Sequence, residues 1–257
     1  MQLFKSDDIK VSVVVPAYNE EKRIRECLDK LYKFFKKADY SYEIVISDDG
    51  SKDTTKDIVK NFQKEWPELK LLENKHKGKA PAIISGIFGC KGEYVLFTDV
   101  DLSVPITEFT KMYNWVSQQN FDVAIASREG FGSKRVDEPF TRHVMGRVFN
   151  YLVQIVLLPG INDTQCGFKL FKRSAIENIF QKTLLYSPNS EEITGGKVSA
   201  FDVEILFVAR LLNYRIKEVP VTWYYVGDSK VHNVKDSYYN AKDVIKVKLN
   251  YLKGLYN

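Results

Sequence analysis

Several features that define common classes of protein are absent from this 257-residue sequence. Its three cysteines, Cys27, Cys90 and Cys166, are scattered and lack C-x-x-C spacing, so we expect neither a disulfide framework nor a zinc site. The N-terminal residues MQLFKSDDIK have no basic region followed by an apolar one, so no signal peptide is expected. No apolar run approaches the roughly 18 residues that a membrane span needs. These absences favour a soluble or peripheral protein of a reducing compartment.

Fingerprints of several common enzyme classes are missing as well. The first apolar run, Val11 to Val15, is not followed by G-x-G-x-x-G, and the sequence has no Walker A, G-x-S-x-G or H-E-x-x-H pattern. This argues against the usual dehydrogenases, kinases, hydrolases and metalloproteases. The three histidines, His76, His143 and His232, show no triad or ligand spacing and are expected to be structural or exposed.

The charge is unevenly distributed along the chain. The net charge is +5, and from Lys230 onward six lysines and two aspartates contribute +4 of it. A basic tail of this kind fits nucleic acid, an anionic membrane or simple solvation, and composition alone does not separate the three. The hydrophobic content of 44% and charged content of 28% are ordinary for a soluble globular domain.

Strand-like apolar runs alternate with helix-like segments through the first half of the chain. The helical spacing is clearest for Ile24, Leu28, Leu31 and Phe35. This alternation predicts an α/β fold with a mostly parallel, doubly wound sheet flanked by helices, within a single domain. The less regular second half is predicted to contain a polar loop at 130–139, a helix at 142–158, a strand at 166–171, a long lid-like loop at 184–197, a helix at 201–212, a strand region at 219–226 and a basic amphipathic helix at 237–255.

Two carboxylates end one of the predicted strands. Tyr94 to Thr98 is a short apolar run that reads as a strand buried on both faces, and Asp99 and Asp101 follow it. Residues i and i+2 of a strand point to the same side, so both acids can face one spot at the edge where open α/β sheets bind ligands. Hard oxygen ligands suit Mg²⁺ or Mn²⁺ shared with substrate phosphates. The alternative is a solvated loop that contains two aspartates.

Two further loops are expected at the same edge of the sheet. They are the segments PAYNE (16–20) and DDGS (48–51), which follow the first and second predicted strands. Carboxylates at strand ends can accept hydrogen bonds from ribose hydroxyls and base N–H groups, which leaves the phosphates to the metal.

These segments resemble the family-2 inverting glycosyltransferases with a GT-A, Rossmann-like fold. The residues that carry the resemblance are VVVPAYNE (13–20), ISDDGS (46–51), the glycine-lysine at Lys79, TDVDLS (98–103) and Ser127-Arg128. Further along, DTQCGFKLF (163–171), FDVEIL (201–206) and VTWYYVGDSKV (221–231) resemble the dolichyl-phosphate glucosyltransferase branch. The resemblance runs from about Val11 to Tyr256. One departure is Gly78-Lys79-Ala80-Pro81, where the family usually has glycine-lysine-glycine.

The resemblance implies a UDP-sugar donor bound by about residues 11–127, with about 128–235 forming the acceptor half and about 237–257 a C-terminal helix. Asp99 and Asp101 are implied as ligands of Mg²⁺ or Mn²⁺ beside the diphosphate. Lys79 would add a cation there, or is a solvated lysine at a helix start. The residues implied at the nucleotide-sugar are Pro16, Ala17, Tyr18, Glu20, Asp48, Asp49, Gly50, Ser51, Lys79, Asp99 and Val100.

The resemblance also assigns the acceptor side. Arg128, Arg142 and Arg147 match basic positions that related enzymes use for a lipid phosphate, which an arginine fork fits bidentately. Lys230 is a further candidate for this phosphate. Asp163 would orient the acceptor or act as a base, so the expected catalytic residues are Asp101, Asp163, Arg128 and Arg142. Two more acids, Asp202 and Glu204, lead a predicted helix, where the dipole alone favours them.

The resulting expectation is a metal-dependent, inverting glucosyltransferase that uses a UDP-sugar and a polyprenyl phosphate. It would act at the cytoplasmic face of a membrane, attached peripherally through amphipathic segments around Phe149 and Val244 and the lysines of the tail, and it would not bind nucleic acid. The alternatives are a sister enzyme that uses GDP-mannose, or one with a saccharide acceptor. A sugar nucleotidyltransferase would need a glycine-rich loop with arginine after the first strand, which PAYNEE does not provide. A non-catalytic nucleotide-sugar-binding module is the remaining alternative.

Overall fold

A computed structural model of the chain describes residues 9–185, 200–227 and 233–256. Most of the predicted loop at 184–197 lies outside this range, as do the predicted acceptor residue Lys230 and His232.

Nine strands form two sheets in the described part of the chain. The strands are β1 (Val11–Ala17), β2 (Tyr42–Asp48), β3 (Leu69–Glu73), β4 (Tyr94–Phe97), β5 (Val123–Ser127), β6 (Lys134–Val136), β7 (Lys169–Lys172), β8 (Ile216–Pro220) and β9 (Thr222–Tyr224). Seven of them form the main sheet, in the order β3-β2-β1-β4-β7-β5-β8, and β6 pairs with β9 in a small second sheet.

Eight α-helices connect and cover the strands within the described residues. The helices are α1 (Ile24–Phe35), α2 (Thr55–Gln63), α3 (Lys79–Gly89), α4 (Phe109–Ser117), α5 (Phe140–Val156), α6 (Arg173–Lys182), α7 (Phe201–Leu211) and α8 (Asn233–Leu252). A short 3-10 helix, Ile106–Glu108, precedes α4. None of the helices in the described ranges is both long enough and apolar enough to cross a membrane.

The register of the central strands brings the three predicted loops to one edge. Strand β1 pairs in parallel with β2 on one side, where Ala17 lies opposite Asp48, and with β4 on the other, where Val14 lies opposite Phe97. The loops that follow these strands therefore leave the sheet at the same edge. Strand β7 is antiparallel to both of its neighbours and places Lys169 beside Phe97.

The sheet separates two hydrophobic cores. Alternate residues of β1 face opposite sides: Val13 and Val15 pack in one core with α1 and α4, whereas Val14 packs in the other with α3, α5 and α7. Both faces of the sheet are thus covered, as expected for continuous apolar strands. The three cysteines are free and buried, and burial raises the pKa of Cys166 to about 12. They pack as small hydrophobic residues.

The predicted α/β class with a mostly parallel sheet is confirmed, and three details differ. The polar loop predicted at 130–139 contains the short strand β6, the helix α6 was not predicted, and the predicted strand region 219–226 is two strands, β8 and β9. These pieces have three to ten residues. Their pairing and packing partners are distant in sequence, so local patterns identify them poorly.

Candidate active site

A cleft of about 480 Å³ opens at the edge where β1 and β4 end. It extends from the loops of the first half to α5, α7 and α8 of the second half. Most of the residues predicted for the site line it, namely Pro16, Ala17, Tyr18, Glu20, Asp49, Lys79, Asp99, Val100, Asp101, Arg128, Arg142, Arg147 and Asp163.

The acidic part of the cleft is the turn after β4. The Lys79 ammonium at the start of α3 lies 2.6 Å from Asp99 Oδ1. Partial loss of water around this ammonium disfavours its charge, although 43% of the side chain is exposed, but the carboxylates of Asp99 and Asp202 outweigh that effect and raise the pKa of Lys79. Asp101 Oδ1 accepts a hydrogen bond from the Ser103 N–H, while burial and the charge of Asp99 raise the pKa of the Asp101 carboxyl. Like charges held together in this way favour a bound cation.

The donor set of this turn suits a divalent ion that is shared with a substrate. Asp99 and Asp101 supply hard carboxylate oxygens, as Mg²⁺ and Mn²⁺ prefer. Nowhere in the described ranges do three or more His, Cys, Asp or Glu side chains form a group that could hold a metal ion. Two carboxylates with room for water and phosphate oxygens therefore fit an ion that enters with the donor, rather than a closed protein cage.

Gly167 makes room for Asp99. A Cβ atom at this position would lie only 2.2 Å from Asp99 Oδ2, so the backbone of the turn before β7 is in direct contact with the carboxylate. Gly167→Ala is expected to displace the Asp99 side chain and, through the predicted metal site, to lower kcat/KM by roughly 100-fold, since small misplacements within an active site have effects of this size. Because the displaced atom is the end of a side chain, the melting temperature should change little.

Gly86→Ala is the matched control for this prediction. A Cβ atom at Gly86 would lie 2.3 Å from Val14 Cγ1, between α3 and β1 in the core. Overpacking there is expected to cost about 1–3 kcal/mol of stability without touching Asp99. Steady-state kinetics and thermal unfolding of both variants test the difference. Equal kinetic losses in the two variants would contradict a specific role for the contact between Gly167 and Asp99.

Three residues of the DDGS loop, Asp48, Gly50 and Ser51, lie away from the cleft, although Asp49 lines it. Asp48 is fully buried, and its Oδ1 accepts hydrogen bonds from the N–H groups of Gly50 and Ser51. Gly50 has a φ of +76°, which favours glycine, and the Ser51 hydroxyl accepts a hydrogen bond from the Asn19 N–H. None of these three residues of the loop lines the cleft. They hold the loop in shape, whereas a direct contact with the nucleotide was expected.

Asp49 and Tyr18, which were predicted to bind the donor, line the cleft together with His76, which was not predicted there. The Tyr18 ring stacks on the His76 ring with centroids 3.9 Å apart. His76 Nδ1 lies 2.8 Å from Asp49 Oδ2, and Asp49 also accepts hydrogen bonds from the backbone N–H groups of Lys77 and Gly78. Sequence spacing gave no reason to select His76, because its partners Tyr18 and Asp49 come from other loops.

Arg128 and Asp163, which were predicted for the acceptor side, form a largely buried bidentate pair. Arg128 donates from Nε to Asp163 Oδ2 at 2.7 Å and from one terminal nitrogen to Oδ1 at 2.8 Å, and its backbone N–H also donates to Oδ2. Burial opposes charge on both groups, but their attraction outweighs it, so the pKa of Asp163 is lowered and that of Arg128 is raised. Asp163 is thus an ionised partner that fixes the Arg128 guanidinium.

The other predicted arginines lie on α5. The Arg142 guanidinium is 5.2 Å from the centroid of the Tyr225 ring, and no carboxylate in the described part of the chain forms an ion pair with it. Arg147 is already anchored, since one terminal nitrogen lies 3.5 Å from Glu129 Oε2 and donates to the Asn162 carbonyl oxygen. Arg142 is therefore the better placed of the two to bind a phosphate.

A buried lysine connects the segments 163–171 and 201–206, whose sequences resemble the dolichyl-phosphate glucosyltransferase branch. Lys169 on β7 is fully buried, donates to the Cys166 carbonyl oxygen at 2.6 Å and pairs with Asp202 on α7. Asp202 lines the cleft. Glu204 points elsewhere: its carboxylate accepts hydrogen bonds from the N–H groups of Leu184 and Leu185. Lysine is rarely buried without a counter-charge, so this pair depends on both segments.

The chain is similar to known proteins over nearly its whole length. Residues 12–180 match the family model described as glycosyl transferase family 2. The chain is 34% identical to a dolichyl-phosphate beta-glucosyltransferase of Dictyostelium discoideum, over 97% of this chain and 77% of the relative. It is 33% identical to a protein of the same name from Saccharomyces cerevisiae, over 97% of this chain and 77% of the relative.

A solved structure with a similar fold is glucosyl-3-phosphoglycerate synthase from Mycobacterium tuberculosis in complex with Mn²⁺, UDP and glucosyl-3-phosphoglycerate. The TM-score is 0.59 at 17% sequence identity, over 96% of this chain and 80% of that chain. At this identity the likeness establishes the fold, which is the GT-A fold predicted from the sequence.

Proposed function

The chain belongs to glycosyl transferase family 2 and, within it, to the dolichyl-phosphate beta-glucosyltransferases, and we propose that it transfers glucose from UDP-glucose to dolichyl phosphate or a related polyprenyl phosphate. The proposed reaction inverts the configuration at C1 and requires Mg²⁺ or Mn²⁺. The observation that carries this proposal is the division of one cleft into an acidic end, with Asp99 and Asp101, and a basic end, with Arg128 and Arg142.

The acidic end is proposed to hold the donor diphosphate. When bound, the divalent ion would be held by Asp99 and Asp101 and would supply Lewis-acid neutralisation of the charge on the departing UDP. Lys79 lies at the same carboxylates, and its ammonium would add a second positive charge beside the diphosphate. The Tyr18 ring and the Asp49 carboxylate are proposed to lie next to the nucleoside.

The basic end is proposed to hold the acceptor phosphate. Asp163 engages Arg128 Nε and one terminal nitrogen, which leaves other N–H groups of the guanidinium for a ligand. These N–H groups of Arg128 and the Arg142 guanidinium are proposed to bind the phosphate dianion of the acceptor together, as a clamp. A lipid phosphate at pH 7 is mostly a dianion, so it needs charge neutralisation near the donor diphosphate more than it needs a base.

The test is transfer to a lipid phosphate by the purified full chain. UDP-glucose, other UDP-hexoses and GDP-mannose are each incubated with dolichyl phosphate and Mg²⁺ or Mn²⁺, and lipid-linked sugar is measured by chromatography. UDP-glucose is expected to give the highest kcat/KM, and EDTA is expected to stop transfer. Preference for GDP-mannose, or transfer only to a free saccharide, would replace this proposal with one of the alternatives.

A membrane-binding face is proposed on α5 and α8, which pack against each other. Apolar side chains at helical spacing are exposed along α5, with Phe140 at 79%, Val148 at 65% and Ile155 at 84%. On α8, Ile245 and Leu252 are exposed by 51% and 69%. Exposed lysines on and directly after α8 would add attraction to anionic lipids. They are Lys242, Lys246 and Lys253.

Binding to anionic vesicles is expected to depend on this face and on salt. Each apolar side chain that leaves water contributes about 1.5–3 kcal/mol, and each lysine near an anionic surface about 1 kcal/mol. The double variant V148E/I155E should therefore lose vesicle binding by more than roughly tenfold. Raising the salt concentration should weaken binding of the wild type, since charges are screened within about 10 Å at 0.1 M salt.

Phe88→Glu is the matched control, because Phe88 is 50% exposed on α3, outside the proposed face. Its vesicle sedimentation should equal that of the wild type. Equal sedimentation of all three proteins, or binding that is the same for neutral and anionic vesicles, would reject this membrane face.

A further inference from the structure

Helix α8 brings a buried side-chain amide to the cleft. Asn240 is only 6% exposed, and its Oδ1 has no hydrogen-bond partner within the part of the chain that the structure describes. Asn240 nevertheless lines the cleft. A buried acceptor without a donor costs free energy, so its presence at a cleft wall suggests that a ligand supplies the missing hydrogen bond.

Contacts around Asn240 place it on the inner wall. Asp243 lies three residues further along α8, on the same side of the helix, and its carboxylate accepts a hydrogen bond from the Ala200 N–H at 3.4 Å. Ala200 directly precedes α7, so Asn240 lies near the first turn of that helix. The Asp202 carboxylate of this turn also lines the cleft.

The same wall continues to the acidic end of the cleft. Asp202 pairs with Lys169, and Lys169 donates to the carbonyl oxygen of Cys166. The next residue is Gly167, whose backbone is in contact with the Asp99 carboxylate. A continuous set of contacts thus connects the first turn of α7 with Asp99, where the diphosphate is proposed to bind.

The unpaired atom itself restricts the ligand. Asn240 Oδ1 accepts hydrogen bonds and needs an O–H or N–H donor. The proposed acceptor offers none there, because a phosphate dianion and a hydrocarbon chain have no such group. The base and ribose of the donor are proposed to lie at Tyr18 and Asp49, at the ends of β1 and β2. Among the groups of the two proposed substrates, the sugar hydroxyls are the donors that remain, and they lie next to the diphosphate to which the sugar is attached.

We propose that Asn240 binds a hydroxyl group of the transferred hexose, so that the C-terminal helix takes part in sugar recognition. This inference rests on the proposed function, since it takes the nucleotide-sugar to be the donor. A site that hydrogen-bonds a substrate hydroxyl discriminates strongly against analogues that lack it.

The first test compares stability with kinetics. In Asn240→Leu the unsatisfied amide is replaced by an apolar side chain of similar size, so the melting temperature is expected to stay the same or rise. The kcat/KM for UDP-glucose with dolichyl phosphate is expected to fall at least about tenfold. Asn178→Leu on α6 is the control, because the Asn178 amide bonds the Tyr214 hydroxyl away from the cleft. It should leave kcat/KM unchanged.

The second test identifies the hydroxyl. The wild type and Asn240→Leu are assayed with UDP-glucose and with its 2-, 3-, 4- and 6-deoxy analogues. For one analogue, the kcat/KM of the wild type is expected to be much lower than for UDP-glucose. With that analogue, Asn240→Leu is expected to have the same kcat/KM as the wild type. The same fold-loss with every analogue, an unchanged kcat/KM or a marked loss of stability in Asn240→Leu would each overturn the role of Asn240. Absence of sugar transfer by the wild type would instead reject the proposed function.

Discussion

Asp101→Asn is expected to lower the rate of transfer by at least about 100-fold and to leave the fold intact. The substitution removes one of the two carboxylates of the proposed metal site, and loss of a single group that stabilises charge in a transition state costs about 100- to 1,000-fold in kcat. Asp101 lies in a turn after β4 and is not part of the core packing.

The melting temperature of Asp101→Asn should not fall, although its activity does. Burial and the neighbouring charge of Asp99 raise the pKa of Asp101, so ionisation of this carboxyl opposes folding in the absence of a cation. A group whose pKa is raised by folding stabilises the protein below its unfolded pKa, and this contribution is lost as the pH rises through the folded pKa. At pH 7 a neutral amide should therefore keep or raise the melting temperature.

Asp57→Asn is the matched control for charge, because Asp57 is exposed on α2 and does not line the cleft. It should retain wild-type kinetics and the wild-type response to Mn²⁺. The measurements are kcat/KM against Mg²⁺ and Mn²⁺ concentration, together with thermal unfolding. Near-normal turnover of Asp101→Asn, or full activity of the wild type in EDTA, would reject the metal-dependent mechanism.

Local patterns predicted the strands of the first half of the fold well. Val11–Ala17 and Tyr94–Phe97 are apolar runs buried on both faces, and such strands are recognisable without knowledge of their neighbours. The acids that follow β4 are placed by the strand itself, so their position at the sheet edge could be inferred from the sequence. Asp48 was less predictable, since a strand-end acid can face the cleft or fold back onto its own loop.

The residues that were missed depend on distant partners. Lys169 reads as an ordinary polar residue of a short strand, and its burial depends on Asp202, which lies 33 residues further along the chain. Asn240 occupies a basic helix whose polar residues suggest a solvated face, but α8 packs against α5 and α7, and Asn240 is buried in the folded chain. Burial of single polar residues is a tertiary property, which hydrophobic periodicity does not describe.

Arg142→Ala is expected to weaken use of the lipid phosphate far more than binding of the donor. Within the described residues Arg142 has an aromatic neighbour, Tyr225, but no ion-pair partner, so a phosphate dianion would be its first counter-charge. We expect KM for the lipid phosphate to rise at least about tenfold. Arg215→Ala is the control, because the Arg215 guanidinium stacks on Phe121 away from the cleft. Equal effects on donor and acceptor KM would argue against the clamp.

The pH dependence of transfer separates an arginine clamp from base catalysis. A lipid phosphate has a second pKa of about 6. Loss of this second proton should therefore set the acid limb of the pH–rate profile. Asp163 cannot produce a limb there, because Arg128 holds the pKa of the Asp163 carboxyl below its usual value of 3.8. The stability that this ion pair contributes is present above the unfolded pKa and is lost only as the pH falls through the lowered folded pKa. The pair therefore stays ionised between pH 5 and 8.

In Asp163→Asn the acid limb should remain near the phosphate pKa, although activity falls. The substitution leaves the mostly buried Arg128 without its counter-charge, which costs about 3–5 kcal/mol of stability. The profile must therefore be recorded at a temperature where circular dichroism shows the variant to be folded. A limb that disappears with the carboxylate would make Asp163 a general base. A limb that persists would assign Asp163 to positioning Arg128, with the acceptor phosphate as the nucleophile that needs cations rather than a base.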